Sequence, residues 1–346
     1  ENVKTKDILT SKAFENAMIV HAACGGSTNL ILHLPAVAHA VKEKIMRVED
    51  WIRINKLTPR LVDVLPNGPK GFPTSVFFSS GGVPEVMLKL KNEGLLNLDV
   101  MTATGQTLGE NLDWWEQSEK RSYVRNQLKN SRNIDPEDVV HSFENSKKKN
   151  MTSTVTFPKG NIAPEGSVVK STAIDKTVID GDGVYRKIGP ARIFISEADA
   201  IKAVKDKGPD RVRAGDIMVI VCGGPKGTGM QEVAQITIAL KYLSYGKEVA
   251  LITDGRFSGV STGACIGHIG PEALDGGPIG KLKENDLIEL EIDTINLEGS
   301  INLIGEDGEN KGIDWGNEEI IRREIRKDLK PQDGLPEDTI LWAHLQ

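Results

Sequence analysis

Three polar residues stand in glycine-rich stretches where chemistry could be done: Glu232 at the end of Cys222-Gly-Gly-Pro-Lys-Gly-Thr-Gly-Met-Gln-Glu232, and Arg256 and Ser258 inside Thr253-Asp-Gly-Arg-Phe-Ser-Gly259. A carboxylate such as Glu232 suits a hard cation like Mg²⁺, which takes few protein carboxylates and keeps substrate oxygens in its shell. In the first turn of a helix, where the spacing expects it, the same residue would serve as a cap favoured by the helix dipole. Arg256 can grip a carboxylate through its planar fork or lower the pKa of a nearby alkoxide. Ser258 lies in a glycine-flanked turn, where serine is ordinarily a turn residue. Arg256 occupies the place of the first glycine of Gly-x-Ser-x-Gly, so the nucleophile elbow of hydrolases is excluded.

A third stretch, Cys24-Gly-Gly-Ser-Thr-Asn29, offers Ser27, Thr28 and Asn29 as polar groups at a helix start. Backbone N–H groups of the 222–229 loop, running into a helix expected from about Met230, would form an anion site. Two phosphate-binding signatures fail there. No Lys-Ser or Lys-Thr follows the last glycine, and Gly223, Gly227 and Gly229 do not fit Gly-x-Gly-x-x-Gly. From the glycines alone, functional and structural readings stay evenly balanced. No Cys or His pair has the spacing of a zinc site, and His268 near Cys265 stands isolated.

The elements that must position these residues change character near Asn150, giving expected domains at 1–150 and 151–346. The first reads as helical. A helix over 11–24 closes at Gly25-Gly26, because glycine accepts the left-handed cap. A second starts near Ser27–Asn29 with Leu30, Leu34, Val37 and Val41 as its apolar face, and Pro35 kinks it or sits in its first turn. Further helices are expected at 48–55 and 83–93. The second domain reads as β-rich α/β, with strands at 167–174, 191–195, 217–222, 248–253 and 287–292. Helices are expected at 197–205, 231–245 and 318–329, the last with Ile321, Ile325 and Leu329 on one face. In 287–293, Ile288, Leu290 and Ile292 alternate with acidic residues, so one face meets a core.

Composition excludes several classes. The chain has 346 residues, 39% hydrophobic and 27% charged, with a net charge of −6. That is ample for a folded core, and the acidity argues against a nucleic-acid partner. Cys24, Cys222 and Cys265 are too few and too scattered for a disulfide scaffold. Residues 16–41 lack Asp, Glu, Lys and Arg, yet Gly25-Gly26 and three histidines in the run argue against a membrane span. The cytoplasm is the expected location.

In this order, the three motifs resemble those of the dihydroxy-acid and sugar-acid dehydratase family. Gly25–Asn29 precedes His33-Leu34, Gly224–Glu232 follows, and Ala250–Gly259 reads Ala-Leu-Ile-Thr-Asp-Gly-Arg-Phe-Ser-Gly, with Gly267-His268 and Pro271-Glu272-Ala273 downstream. Asn161-Ile-Ala-Pro-Glu-Gly166 resembles the entry to the family's C-terminal domain, and Leu108–Glu116 resembles the branch of xylonate dehydratases. The resemblance implies a hydro-lyase that dehydrates a small-molecule sugar acid to its 2-keto-3-deoxy acid. It implies an iron–sulfur cluster and Mg²⁺ as cofactors, Glu232 as a Mg²⁺ ligand and Ser258 as an alkoxide base taking the C2 proton. Arg256, Ser27, Thr28 and Asn29 are the expected substrate contacts, and a homodimer or homotetramer is the expected assembly. Three cysteines of the chain do not match the family's cluster positions, so the cluster ligands are expected upstream. The chain is therefore expected to resemble only the C-terminal part of such an enzyme: a truncated α/β N-terminal domain followed by a β-rich swivelling, aconitase-like C-terminal domain, inactive on its own. Two other readings stay open, a dihydroxy-acid dehydratase of branched-chain amino-acid synthesis and a non-catalytic fragment that keeps the fold.

Overall fold

Thr10 accepts a hydrogen bond from the Ala13 N–H and caps the helix Ser11–Cys24, which ends where Gly25 turns left-handed at φ +63°. The computed structural model describes residues 3–257 and 263–335. The chain divides into two units, Glu1–Thr154 and Val155–Gln346.

In the first unit, the helix Ser11–Cys24 packs on the helices Val48–Leu57 and Gly82–Asn92. Phe14, Met18, Trp51, Ile54, Val86 and Leu90 are buried there. Each such side chain contributes about 1.5–3 kcal/mol when taken fully from water. One buried carboxylate sits among them. Glu85 is held by Arg121 through Nε at 2.7 Å and Nη2 at 3.0 Å, with Arg125 Nη1 at 3.1 Å. That pairing ties the helix Glu119–Arg132 to the helix Gly82–Asn92.

An extended segment threads the same unit. Arg60 N–H donates to Met151 C=O at 2.9 Å, Leu61 N–H to Ala23 C=O at 2.7 Å, and Asp63 N–H to Val139 C=O at 2.9 Å. The helix Asn29–Ala40 forms with Pro35 inside it rather than in its first turn. Its expected apolar face is corrected: Ile31 and Ala38 are buried, whereas Val37 is exposed. The neighbours that cover this helix select a different stripe from the one its leucine spacing suggests.

The second unit is built on an eight-stranded sheet in the order β1-β7-β5-β3-β2-β8-β9-β10. Its strands are β1 Gly166–Val169, β2 Val184–Phe194, β3 Ile217–Ile220, β5 Ala250–Thr253, β7 Cys265–Gly270, β8 Asp286–Asp293, β9 Glu298–Glu306 and β10 Glu309–Asn310. A separate two-stranded ladder pairs β4 Glu232–Val233 with β6 Arg256–Phe257. Neighbouring strands β2, β3, β5 and β7 run parallel, and β8–β10 form an antiparallel meander. The long β2 serves both parts. Val184–Pro190 pair with β8, and Ala191–Phe194 pair with β3.

Ile288, Leu290 and Ile292 are fully buried, as their alternation requires. The fully buried strands β3 and β5 read as unbroken apolar runs, which fits parallel strands covered on both faces. The last helix is corrected. It spans Gly312–Arg322 rather than 318–329, with Ile320 buried and Ile321 82% exposed. Arg323 follows that helix as a buried charge held by Asp286 and Glu319, which draws the chain out of helical geometry toward the sheet. Among the described residues, no helix is long and apolar enough to cross a membrane.

Candidate functional site

The candidate site in the second unit is made by loops that leave the carboxyl ends of β3 and β5, where parallel sheets commonly hold ligands. After β3 the chain makes a short helix, Pro225–Thr228, and turns left-handed at Gly229 and Met230. The expected helix from Met230 does not form. Glu232 instead lies in β4, and the helix begins only at Ala234. Its helix-cap role is thereby corrected, and the reason is tertiary. Glu232 and Val233 pair in parallel with Arg256 and Phe257.

That ladder brings two of the expected site residues together. Arg256 N–H donates to Gln231 C=O at 3.1 Å, and its Nε donates to Met230 C=O at 2.6 Å. Arg256 Nη1 then lies 4.0 Å from Glu232 Oε2. Both side chains are about one-third or less exposed, at 25% and 33%. Among the described residues, this ion pair is the Glu232 carboxylate's contact, and no N–H or O–H donates to it. Such a partly exposed, lightly committed carboxylate fits a ligand of one hard cation. Ser258 follows Phe257 directly and lies outside the described residues. Ser27, Thr28 and Asn29 belong to the first unit, in the turn before the helix Asn29–Ala40; Thr28 is buried and Ser27 exposed.

Asp254 positions this region, and sequence reasoning passed over it. Its carboxylate is buried and accepts backbone N–H bonds from Gly223 at 2.7 Å, Cys222 at 3.2 Å and Ala273 at 2.9 Å. One side chain therefore ties three loops. Burial pushes its carboxyl upward, and the three N–H donors pull the other way without cancelling that shift. Glu272 is a second missed group. It accepts the Lys226 N–H at 2.9 Å and closes the short helix from its start. The signal for both was available: each is an acidic residue inside an otherwise apolar, glycine-rich motif.

Close approach explains two glycines. A Cβ at Gly255 would lie 2.9 Å from Gly223 C=O, and one at Gly267 would lie 2.5 Å from Phe257 Cδ1. His268 packs edge-on against Phe257 with ring centroids 6.1 Å apart, and its N–H donates to Gly255 C=O at 2.9 Å. A cavity of about 650 Å³ opens beside the same loop, walled by Ser196, Ile220, Cys222, Gly223, Gln231 and Lys330. Glu232 and Arg256 do not line it.

The three cysteines are free and do not gather with other metal-binding side chains among the described residues. Burial pushes the Cys24 thiol up to about 12, the Cys222 thiol up to about 11 and the Cys265 thiol upward as well. Among the described residues, no three His, Cys, Asp or Glu side chains gather as a metal-holding group.

Fold and site define a mixed α/β protein whose polar loops crowd the carboxyl ends of a parallel sheet. The chain belongs to the dihydroxy-acid/6-phosphogluconate dehydratase family. Residues 1–111 match the family's N-terminal model, and residues 138–330 match its C-terminal model. Both family models match, so the expectation of a likeness to the C-terminal part alone is corrected.

The chain is 57% identical over 344 residues to the D-xylonate dehydratase YagF of Escherichia coli, covering 99% of this chain and 52% of that protein. It is 56% identical over 348 residues to the D-xylonate dehydratase YjhG of the same organism, covering 100% of this chain and 53% of that protein. A dihydroxy-acid dehydratase of Agathobacter rectalis is 42% identical over 299 residues, covering 86% of this chain and 48% of that protein. The chain thus spans about half the length of the curated relatives it matches.

Proposed function

We propose that this chain takes part in dehydrating a sugar acid, D-xylonate, to its 2-keto-3-deoxy acid. The observation that carries the reading is the pairing of Glu232 with Arg256 on the β4–β6 ladder. Identity supports the substrate class: 57% and 56% to D-xylonate dehydratases against 42% to a dihydroxy-acid dehydratase.

The reaction removes the C2 proton and the C3 hydroxyl, and the resulting enol becomes a ketone. In this reading Glu232 supplies one carboxylate to Mg²⁺, and Mg²⁺ bound there would act as a Lewis acid toward the substrate's carboxylate and C2 hydroxyl. Arg256 holds Glu232 in place through its bond to Met230 C=O and adds positive charge where an anionic substrate would lie. Ser258 is proposed as the base for the C2 proton, next in sequence to the residue that closes the ladder. A serine hydroxyl needs a nearby positive charge to serve so, and in this reading bound Mg²⁺ would supply it. In this reading an iron–sulfur cluster would take its ligands from residues other than Cys24, Cys222 and Cys265.

The test is keto-acid release by the purified protein from D-xylonate and from 2,3-dihydroxyisovalerate. In a protein that also carries the cluster ligands, release from D-xylonate alone is expected, while this chain by itself is expected to be inactive. Release only from 2,3-dihydroxyisovalerate would replace the substrate by that of the branched-chain enzyme, and release from neither would favour a non-catalytic chain.

A further inference from the structure

In the first unit, Arg60 is buried to 6% exposure, yet its Nε and Nη1 have no hydrogen-bond partner among the described residues. Two buried guanidinium nitrogens without acceptors are costly, because a charged donor removed from water loses more than a neutral one. Its backbone is not mobile in the hydrogen-bonding sense. Arg60 N–H is held by Met151 C=O, and the next residue is held by Ala23 C=O at the end of the helix Ser11–Cys24.

The nearest carboxylate is already used. Asp63 Oδ1 accepts the Lys70 N–H at 3.0 Å, and Oδ2 lies 3.5 Å from His141 Nε2. Asp63 therefore acts on Arg60 only through its charge. Burial lowers the Arg60 pKa and the Asp63 charge partly opposes that shift.

A Cβ on Gly25 would stand 3.1 Å from Arg60 Cδ and 3.2 Å from Asn67 Nδ2, so the missing side chain is what lets the arginine stem and the amide close on this turn. Gly25 and Asn67 are only half-buried, and Asn67 Nδ2 donates to Gly25 C=O at 2.9 Å. The charge that acts on Arg60 is that of Asp63, which is shared with His141 and the Lys70 N–H. With that carboxylate shared, the guanidinium charge is only partly balanced, which matches a monoanion better than a dianion.

We propose that Arg60, beside the Gly25 turn, is a binding site for a small singly charged carboxylate. A planar carboxylate supplies acceptor oxygens in the geometry that a guanidinium presents. The proposal goes beyond the dehydration reading and does not rest on it, although a sugar acid is one such carboxylate.

The experiment measures the thermal midpoint of the purified full chain against added acetate, D-xylonate, D-xylose and inorganic phosphate, with ionic strength held by sodium chloride. Acetate and D-xylonate are expected to raise the midpoint, D-xylose to leave it unchanged, and phosphate to act more weakly than acetate. In Arg60→Gln the apparent Kd for acetate should rise at least about tenfold, while the midpoint without ligand stays level or rises, since a buried unpaired charge is gone. Arg60→Lys, which keeps the charge without the fork, should fall between the two.

Equal acetate affinity in wild type and Arg60→Gln would overturn the proposal. So would phosphate binding more tightly than acetate, or a midpoint without ligand that falls by several degrees in Arg60→Gln, which would make the residue structural. The two readings fail separately. Acetate binding that depends on Arg60 in a protein that does not dehydrate D-xylonate keeps this site and removes the function, and dehydration with an unchanged acetate Kd does the reverse.

Discussion

Replacing Asp254 by Asn tests whether one buried carboxylate organises the candidate site. In the native protein its two oxygens accept N–H bonds from Gly223 at 2.7 Å, Cys222 at 3.2 Å and Ala273 at 2.9 Å. A carboxamide has one acceptor oxygen. Placed where Oδ2 stands, it keeps Cys222 and Ala273 but turns its NH₂ toward the Gly223 N–H, donor against donor. The lost bond to a charged acceptor is worth about 1.5–3 kcal/mol. Removing the buried charge returns part of that, because burial already pushes the Asp254 carboxyl upward.

The net expected loss is about 2 kcal/mol, roughly a 30-fold fall in the folded-to-unfolded ratio. With a urea dependence of about 2 kcal/mol per molar, the midpoint should drop by about 1 M. Hydrogen exchange read by mass spectrometry over peptides 217–224 and 271–273 supplies the local assay. Protection should fall there first and remain elsewhere in the unit until global unfolding. A midpoint shift below about 0.2 M, with unchanged protection at Gly223, would refute the reasoning.

Glu85 should show a pH signature. Burial pushes its carboxyl up, but Arg121 and Arg125 outweigh that and hold it below the usual carboxylate range. Its stabilisation is therefore complete above the unfolded value of about 4.3 and is lost as pH falls through the lower folded value. Glu85→Gln should cost about 3 kcal/mol near neutral pH, with the gap in thermal midpoint to wild type closing below about pH 4; a gap that is constant with pH would refute the ion-pair account. Gly227→Ala places a Cβ 2.0 Å from Cys222 C=O, a backbone atom that cannot yield cheaply. It should cost about 3 kcal/mol, measured by urea titration of the second unit. Glu232→Gln should leave stability within about 0.5 kcal/mol, since its side chain is 33% exposed and lightly bonded, while abolishing keto-acid release. Retained release would remove Glu232 from the mechanism.

Much of the local structure was legible because it depends on near neighbours. Gly25 ended a helix where its tolerance of positive φ suggested, and Ile288, Leu290 and Ile292 faced the core as a period of two demands. The helix Glu197–Lys205 began after Ser196, whose hydroxyl caps Asp199 N–H at 3.1 Å. Less legible were the positions where a distant partner outbids local preference. The leucine spacing of Asn29–Ala40 did not predict that Ile31 and Ala38 would be covered and Val37 left exposed. Nor did the isoleucine spacing near the C-terminus show that the buried Arg323 would break the helix.

The candidate site divides the same way. Residue types and motif order alone singled out Glu232, Arg256 and Ser258 and pointed to the family whose models match residues 1–111 and 138–330. Only the tertiary structure put Glu232 in a strand beside Arg256, laid Asp254 across three loops, and left two nitrogens of the Arg60 guanidinium buried without an acceptor. The physical reason is range. Helical caps and alternating faces are set by residues a few positions apart, whereas a β ladder, a shared carboxylate and an unpaired buried charge depend on segments that meet only after the chain has folded.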